Sequence, residues 1–320
     1  MVNLPKALLG CLLWVLVSWG CTKIAPTWET LTPVTDARLW DVDFVDDQLG
    51  FAVGGLRYQD ETLLKTTDGG QTWTAIEDSL IGKVLFDVRC LNENQVFASG
   101  LDGKVIYSWN AGLEWNVYQL SPWAPIHAIE FLGQDKLIAV GGNGYDDGYI
   151  FQSNDFGQNW MLIDTFDYEL RDVQFTSELV GYACGYGTVL KTEDGGASWD
   201  FTDASGDFFV SLDFPSAEVG YAVGRTGQII KTSDAGTTWT HQRNGSVFAP
   251  RKRLNAVHFL NEQLGYAAGD AGIVFKTTDG GDKWEKFERP EKIDWYGVHI
   301  FEEGHGILVG EGGQTSLFTE

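Results

Sequence analysis

Thr66-Thr67-Asp68-Gly69-Gly70-Gln71-Thr72-Trp73 spells out a turn in side chains. Its Asp accepts hydrogen bonds from backbone N–H groups of its own turn, its Thr bonds locally, and its Gly permits a positive φ. The closing Trp packs between sheets with its ring N–H left for a partner. The pattern Ser/Thr-x-Asp-x-Gly-x-x-Trp returns from Ser108 to Trp115, Ser153 to Trp160, Thr192 to Trp199, Thr232 to Trp239 and Thr277 to Trp284. Only the second copy departs from it, with Asn in the acidic position. Those positions, Asp68, Asn110, Asp155, Asp194, Asp234 and Asp279, are 42, 45, 39, 40 and 45 residues apart. Four fixed residue types at a near-constant period mark a repeated structural unit.

Outward from each box the rest of the unit is legible. An alternating strand lies upstream, as in Leu39–Phe44, Leu85–Cys90, Leu170–Phe175 and Leu254–Phe259. A Gly-bounded strand follows, as in Gly181–Gly185 and Gly220–Gly224, then a third such as Gln228-Ile229-Ile230-Lys231-Thr232. The box turns the chain into a fourth strand that starts at its Trp. Four short strands per unit of about forty residues, with no helical period, is a propeller blade. A seventh unit supplies three strands, Trp295-Tyr296-Gly297-Val298-His299-Ile300, Gly306-Ile307-Leu308-Val309-Gly310 and Thr315–Thr319, and stops where a box is due. Thr27-Trp28-Glu29-Thr30-Leu31 is a fourth strand without its first three. The sequence therefore predicts an all-β, seven-bladed β-propeller of four-stranded blades over residues 27–320. The N-terminal strand completes the last blade and removes an exposed edge.

Boxes of this form are similar to the bacterial neuraminidase repeat, shared by sialidases, sortilins and other propellers. The longer unit, Gly220-Tyr221-Ala222-Val223-Gly224 followed by Lys231-Thr232-Ser233-Asp234, resembles the photosystem II stability/assembly factor type of repeat. The resemblance runs from Trp28 to the C-terminus. It implies a propeller, and a binding or assembly role in place of catalysis. The photosynthetic members carry an arginine-rich face; the nine arginines here are spread along the whole chain.

Composition agrees with the fold and narrows the partners. Of 320 residues 43 % are hydrophobic, and 39 Gly and 13 Trp accompany only 2 Met, as many short strands require. A net charge of −23 repels phosphate backbones and anionic headgroups, which excludes nucleic-acid binding and broad adsorption to membranes. The apolar run Ala7–Val17 is too short to span a bilayer and, after Lys6, has the layout of a signal peptide over residues 1–20. Ser18-Trp19-Gly20-Cys21 resembles a lipobox, so Cys21 is the expected lipidated residue and 21–26 a tether. These features predict a monomer in the bacterial cell envelope, held by its lipid anchor only. Cys90 and Cys184 then remain as buried free thiols in different repeats.

The five boxed acids and Asn110 carry no chemistry beyond the turn, since neither a catalytic acid nor a metal ligand would repeat identically around a ring. No cofactor or metal is expected, and a His258–His299 pair lacks carboxylate support in the sequence. Positions that break the repeat are more informative. After the opening residue of the first strand come Trp40, Phe86, His127, Arg171, Val210, Asn255 and Tyr296; three residues on come Asp43, Arg89, Glu130, Gln174, Asp213, His258 and His299. The second set is polar in every blade, as the wall of a water-filled channel should be. Arg89 is expected within reach of Asp43 or Glu130, because a lone charge near the axis is costly.

Connections into the first strands and turns between second and third strands share one face, with the boxes on the other. Long loops at 55–61, 121–125, 143–148 and 241–253 all fall on the first face. They place Arg57, Tyr58, Trp123, Tyr145 and Arg251 around Trp40, His127, Arg171 and Tyr296 as the candidate partner-binding set, with a protein or a glycan as partner. The alternative is a sialidase-like or other propeller glycoside hydrolase acting on extracellular glycans, with Arg57, Arg171, Arg225 and Tyr296 as its candidates. Three Arg in one deep pocket, or two carboxylates at glycosidase spacing, would favour that alternative.

Overall fold

The computed structural model describes residues 26–76, 82–133, 135–245, 253–287 and 291–320. Its 28 strands form seven four-stranded sheets. Six sheets are continuous in sequence, blades 1 to 6 at residues 39–75, 85–119, 126–166, 170–201, 209–243 and 254–286. Blade 7 joins Trp295–Glu302, His305–Gly310 and Thr315–Thr319 to the N-terminal strand Thr27–Thr30, which pairs antiparallel as Thr27 with Thr319 and Trp28 with Phe318. The ring closes as the sequence predicts. Cys21 lies outside the described residues.

Each second strand is buried on both faces, which is why Gly-Tyr-Ala-Val-Gly holds no charged side chain. Its Tyr reaches into the next blade. Tyr182 stacks on Phe214 at 3.8 Å and donates its hydroxyl to the Ala235 carbonyl at 2.8 Å; Tyr221 stacks on Phe259 at 3.8 Å and donates to Gly280 at 2.7 Å. Such pairs contribute about 0.5–1.5 kcal/mol beyond the area they bury.

The six boxed turns share one hydrogen-bond pattern. Asp194 Oδ1 accepts from Thr192 Oγ1 at 2.8 Å and from the Ser198 N–H at 2.9 Å, while the Gly196 N–H donates to Thr192 Oγ1 at 3.0 Å. Asn110 substitutes because one amide oxygen makes the same two bonds, to Ser108 Oγ at 3.0 Å and the Glu114 N–H at 2.9 Å. The second Gly is required. At Gly70 φ is +83°, and a Cβ would meet Ile307 Cδ1 of the preceding blade at 2.7 Å.

One irregularity recurs in every blade and positions the site. Pairing of the first strand slips between its first and third residues, at Leu39/Asp41, Leu85/Asp87, Ile126/Ala128, Leu170/Asp172, Phe209/Ser211, Leu254/Ala256 and Trp295/Gly297. The residue between is a bulge, and a bulge re-aims its side chain. Trp40, Phe86, His127, Arg171, Val210, Asn255 and Tyr296 occupy those seven bulges, and all seven line the central cavity. Strict alternation would send residues 40 and 43 to opposite faces; the bulge brings both to the axis.

Candidate functional site

The seven first strands surround a cavity of about 660 Å³. Its mouth is formed by the bulged residues together with side chains from the connections that lead into the first strands and from turns between second and third strands: Arg38, Arg225, Arg253, Asp270 and Asp294. Deeper, the lining is the predicted ring of Asp43, Arg89, Glu130, Gln174, Asp213, His258 and His299.

The deep ring is a set of stitches as well as a wet surface. Innermost strands would leave N–H groups unpaired toward the axis, and side chains of the preceding blade accept them. Asp41 takes the Val88 N–H at 3.1 Å, Asp43 that of Cys90 at 2.8 Å and Asp87 that of Ile129 at 2.8 Å. Asp172 takes that of Leu212 at 2.9 Å, Asp213 that of Phe259 at 2.5 Å, and His258 Nδ1 that of Ile300 at 3.0 Å. Sequence reasoning missed the second acidic column, Asp41, Asp87 and Asp172, whose signal was an Asp two residues before the polar ring position in blades 1, 2 and 4.

Arg89 is the hub of this zone. It lies 3.3 Å from Asp87, 3.4 Å from Asp41, 3.7 Å from Asp172 and 3.9 Å from Glu130. The expected reach to Glu130 is met, though three unforeseen Asp residues are closer. Burial disfavours the guanidinium charge, but Asp87, Asp41, Glu130 and Asp172 together hold its pKa above the usual arginine value. One cation does not neutralise so many acids. Burial raises Glu130 to about 7, Asp213 to about 7 and Asp172 to about 6, against the opposing pull of Arg89. The same burial lowers His258 to about 3 and His299 to about 4, so both are neutral imidazoles, with ring centroids 5.0 Å apart.

The mouth mixes both signs: Arg38, Arg171, Arg225 and Arg253 stand there with Glu169, Asp270, Asp294 and Glu311, the last 2.6 Å from Arg38 Nε. Glu169, at the start of blade 4, meets His127 Nε2 at 3.3 Å, Arg171 Nη1 at 3.5 Å and Arg225 Nη2 at 3.8 Å, and accepts the Gly144 N–H at 2.9 Å. Burial works against its charge, but the His127 hydrogen bond and the Arg171 charge hold the carboxyl down at about 2. Burial and Arg171 lower His127 to about 4, so the imidazole is neutral. Two guanidiniums thus share one carboxylate, and among the described residues the buried Arg171 Nε has no hydrogen-bond partner. Arg253 adds a third charge, 3.9 Å from Asp270. Across the mouth, Arg38 lies 4.6 Å from the Trp40 ring centroid and 4.5 Å from that of Tyr296, and Trp40 packs edge-on against Phe86. The result is a rim of aromatics and carboxylate-paired arginines over an acidic floor.

Five of the nine arginines, Arg38, Arg89, Arg171, Arg225 and Arg253, therefore line one cavity although they are spread through the chain. Of the candidate set, Trp40, His127, Arg171 and Tyr296 are gathered there; His127 is buried in its wall. Arg57, Tyr58, Trp123 and Tyr145 lie outside the lining. Arg57 sits over the ring of exposed Tyr58 at 5.4 Å, and Trp123 is exposed. Arg251 lies outside the described residues. Cys184 is buried and Cys90 half-buried; both are free thiols.

Comparison with known proteins adds a family to this geometry. The chain is 26 % identical over 179 residues to a photosystem II assembly lipoprotein Ycf48 of Picosynechococcus sp., covering 53 % of this chain and 52 % of that protein. It is 32 % identical over 194 residues to the one of Synechococcus sp., covering 58 % and 43 %. The chain thus spans about half the length of the relatives it matches. A solved structure described as YCF48 bound to D1 peptide superposes with a TM-score of 0.71 at 20 % identity, covering 92 % of this chain and 97 % of that one. At that identity the likeness establishes the fold. The profile of the photosynthesis system II assembly factor YCF48 family matches residues 22–165 and 203–306. The chain belongs to the photosynthesis system II assembly factor YCF48 family.

Proposed function

We propose that this chain is a non-enzymatic assembly factor. It holds an extended segment of a protein partner across the mouth of the propeller, and a lipid on Cys21 keeps it at the cell envelope. The observation that carries the reading is the gathering of Arg38, Arg171, Arg225 and Arg253 at the rim of a strongly acidic chain, beside the Trp40, Phe86 and Tyr296 rings. Arg and large aromatics in a concave, part-desolvated setting are the groups that dominate interface energies. Guanidiniums that already hold carboxylates at the rim suit carboxylate-bearing segments, and the surrounding negative surface discourages indiscriminate contacts. The relative described as bound to a D1 peptide supports a peptide ligand for this fold. Site-specific photocrosslinking tests the proposal. Benzoylphenylalanine in place of Trp40 or Tyr296 should yield a protein adduct in native membranes, and the same probe at Phe201 on the outer strand of blade 4 should not. Adducts at Phe201 alone would place the working surface elsewhere.

A second reading rests on the same arginines. Three of them at one mouth suit a sugar carboxylate, as a sialidase-like enzyme requires. Turnover of a sialylated oligosaccharide that disappears in Arg171→Gln would establish it over the first.

A further inference from the structure

Beside the arginine-bearing rim stands an aromatic corner that neither the fold nor the cavity requires. Tyr145, from the turn between the second and third strands of blade 3, is 67 % exposed, and Tyr186, from the matching turn of blade 4, is 48 % exposed. Their rings meet edge to face at 4.7 Å and 85°. Phe208, buried at the entry to blade 5, closes the base at 5.8 Å from Tyr186, and the Arg225 guanidinium lies over its ring at 4.2 Å.

The corner is built rigidly. Tyr186 and Phe208 form a backbone bridge, and the Gly187 N–H donates to the Asp207 carbonyl at 2.9 Å. The buried Asp207 carboxylate accepts from the Thr226 N–H at 2.9 Å and its hydroxyl at 2.7 Å. Tyr145 follows Gly144, whose N–H donates to Glu169, the carboxylate shared by Arg171 and Arg225. Ordering of three loops from three blades is therefore complete before any partner arrives, which lowers the entropy cost of binding. Exposed aromatics held in this way mark a contact surface.

We infer that Tyr145, Tyr186 and Phe208 form a side-chain pocket for an apolar residue of the partner peptide, one that lies within a few positions of a carboxylate held by Arg225. The inference rests on the peptide reading of the mouth and adds a sequence requirement to it. Edge-to-face rings offer a corner for an inserted aliphatic or aromatic side chain; a sugar ring is better served by a single flat platform. Arg225 touches both zones, 4.2 Å from the Phe208 ring and 3.8 Å from Glu169, so apolar group and acid must be neighbours in the ligand.

The test uses the full chain in mild detergent and immobilised 12-residue Gly/Ser peptides, each carrying one Phe and one Asp at spacings of one to four, with amidated C-termini. A second set replaces Phe with Ala, a third replaces Asp with Asn, and a fourth supplies the carboxylate as a free C-terminus. Phe peptides should bind at least tenfold tighter than Ala peptides at one preferred spacing. Tyr145→Ala/Tyr186→Ala should abolish that preference while the weaker binding of Asp-containing Ala peptides stays unchanged. Both tyrosines are exposed, so an unaltered melting temperature certifies the fold. The fourth set decides whether the acid is a side chain or a chain end. Asp-dependent binding with no Phe preference overturns the pocket and leaves the mouth reading intact. Binding that ignores Asp, or no binding of any peptide at millimolar concentration, overturns both. Tyr-dependent binding of sialyllactose in place of peptides overturns the peptide assignment.

Discussion

Replacing Arg89 with Met removes the one cation that, among the described residues, lies between the deep-ring carboxylates, while keeping much of the side-chain volume. Four acids lie 3.3–3.9 Å from its guanidinium, and the side chain is 26 % exposed. Removing one partner of a buried ion pair costs about 3–5 kcal/mol. Solvent in the channel relieves part of this, so the expected loss at pH 8 is about 2–3 kcal/mol. The loss should shrink in acid. Glu130 at about 7, and Asp172 at about 6, already titrate high in the intact protein, and both rise further without the cation. A carboxyl whose pKa is raised on folding stabilises the fold fully below its unfolded pKa, and that stabilisation is lost as pH rises through the folded value, at up to about 1.4 kcal/mol per pH unit per group. By pH 5 these acids are protonated in the variant, and its deficit should fall to about 1 kcal/mol. Urea titrations at pH 5 and pH 8, followed by tryptophan fluorescence, give both numbers. A deficit below about 1 kcal/mol at pH 8, or an equal deficit at both pH values, refutes the hub.

Three further outcomes are expected. Trp28→Ala should lower stability by about 2–3 kcal/mol in urea, since the ring packs 5.2 Å from Phe287 and 5.3 Å from Phe318 and holds the closing strand of blade 7. Asp194→Ala should cost about 1 kcal/mol near neutral pH by removing the acceptor of the Thr192 and Ser198 bonds. Because Asp194 is lowered to about 2 by bonds from Ser198, that contribution is present above the usual carboxyl value and lost as pH falls through about 2. Cys21→Ala should move the protein from the membrane to the soluble fraction on fractionation, and unchanged partition would remove the lipid anchor.

Much of this architecture was legible because a repeat is self-checking: six boxes fix the period, and an orphan strand at Thr27–Thr30 has one vacancy to fill. The channel wall was legible for the same reason, as a column that is polar in every blade. Three things were not. The bulge between Leu39 and Asp41, repeated seven times, leaves no mark in hydrophobic alternation, so the common aim of residues 40 and 43 had no stated cause. The stitching acids Asp41, Asp87 and Asp172 satisfy N–H groups of the next blade about 40 residues away, a partnership that exists only once the ring is closed. Arg38, Glu169, Phe208 and Arg253 each stand directly before the opening residue of a first strand, the same repeat position in four blades. Comparing that third column as the other two were compared would have brought Arg38, Glu169 and Arg253 to the mouth, and Phe208 to its edge, from sequence alone. Tyr58 and Trp123 are exposed and stand outside the cavity lining, as residues expected around the mouth and not at the axis.

The central claim is that the loop face works and the boxed face only holds the fold. The direct measurement is calorimetric titration of an Asp-containing peptide into three full-length proteins: the parent, Trp40→Ala/Arg171→Gln, and Asp68→Ala/Asp194→Ala. The mouth variant should lose binding while still folded, melting lower because loss of Arg171 removes one of the cations paired with buried Glu169, and the box variant should melt lower yet bind as tightly as the parent. Binding lost in a still-folded box variant and retained in the mouth variant would contradict the claim.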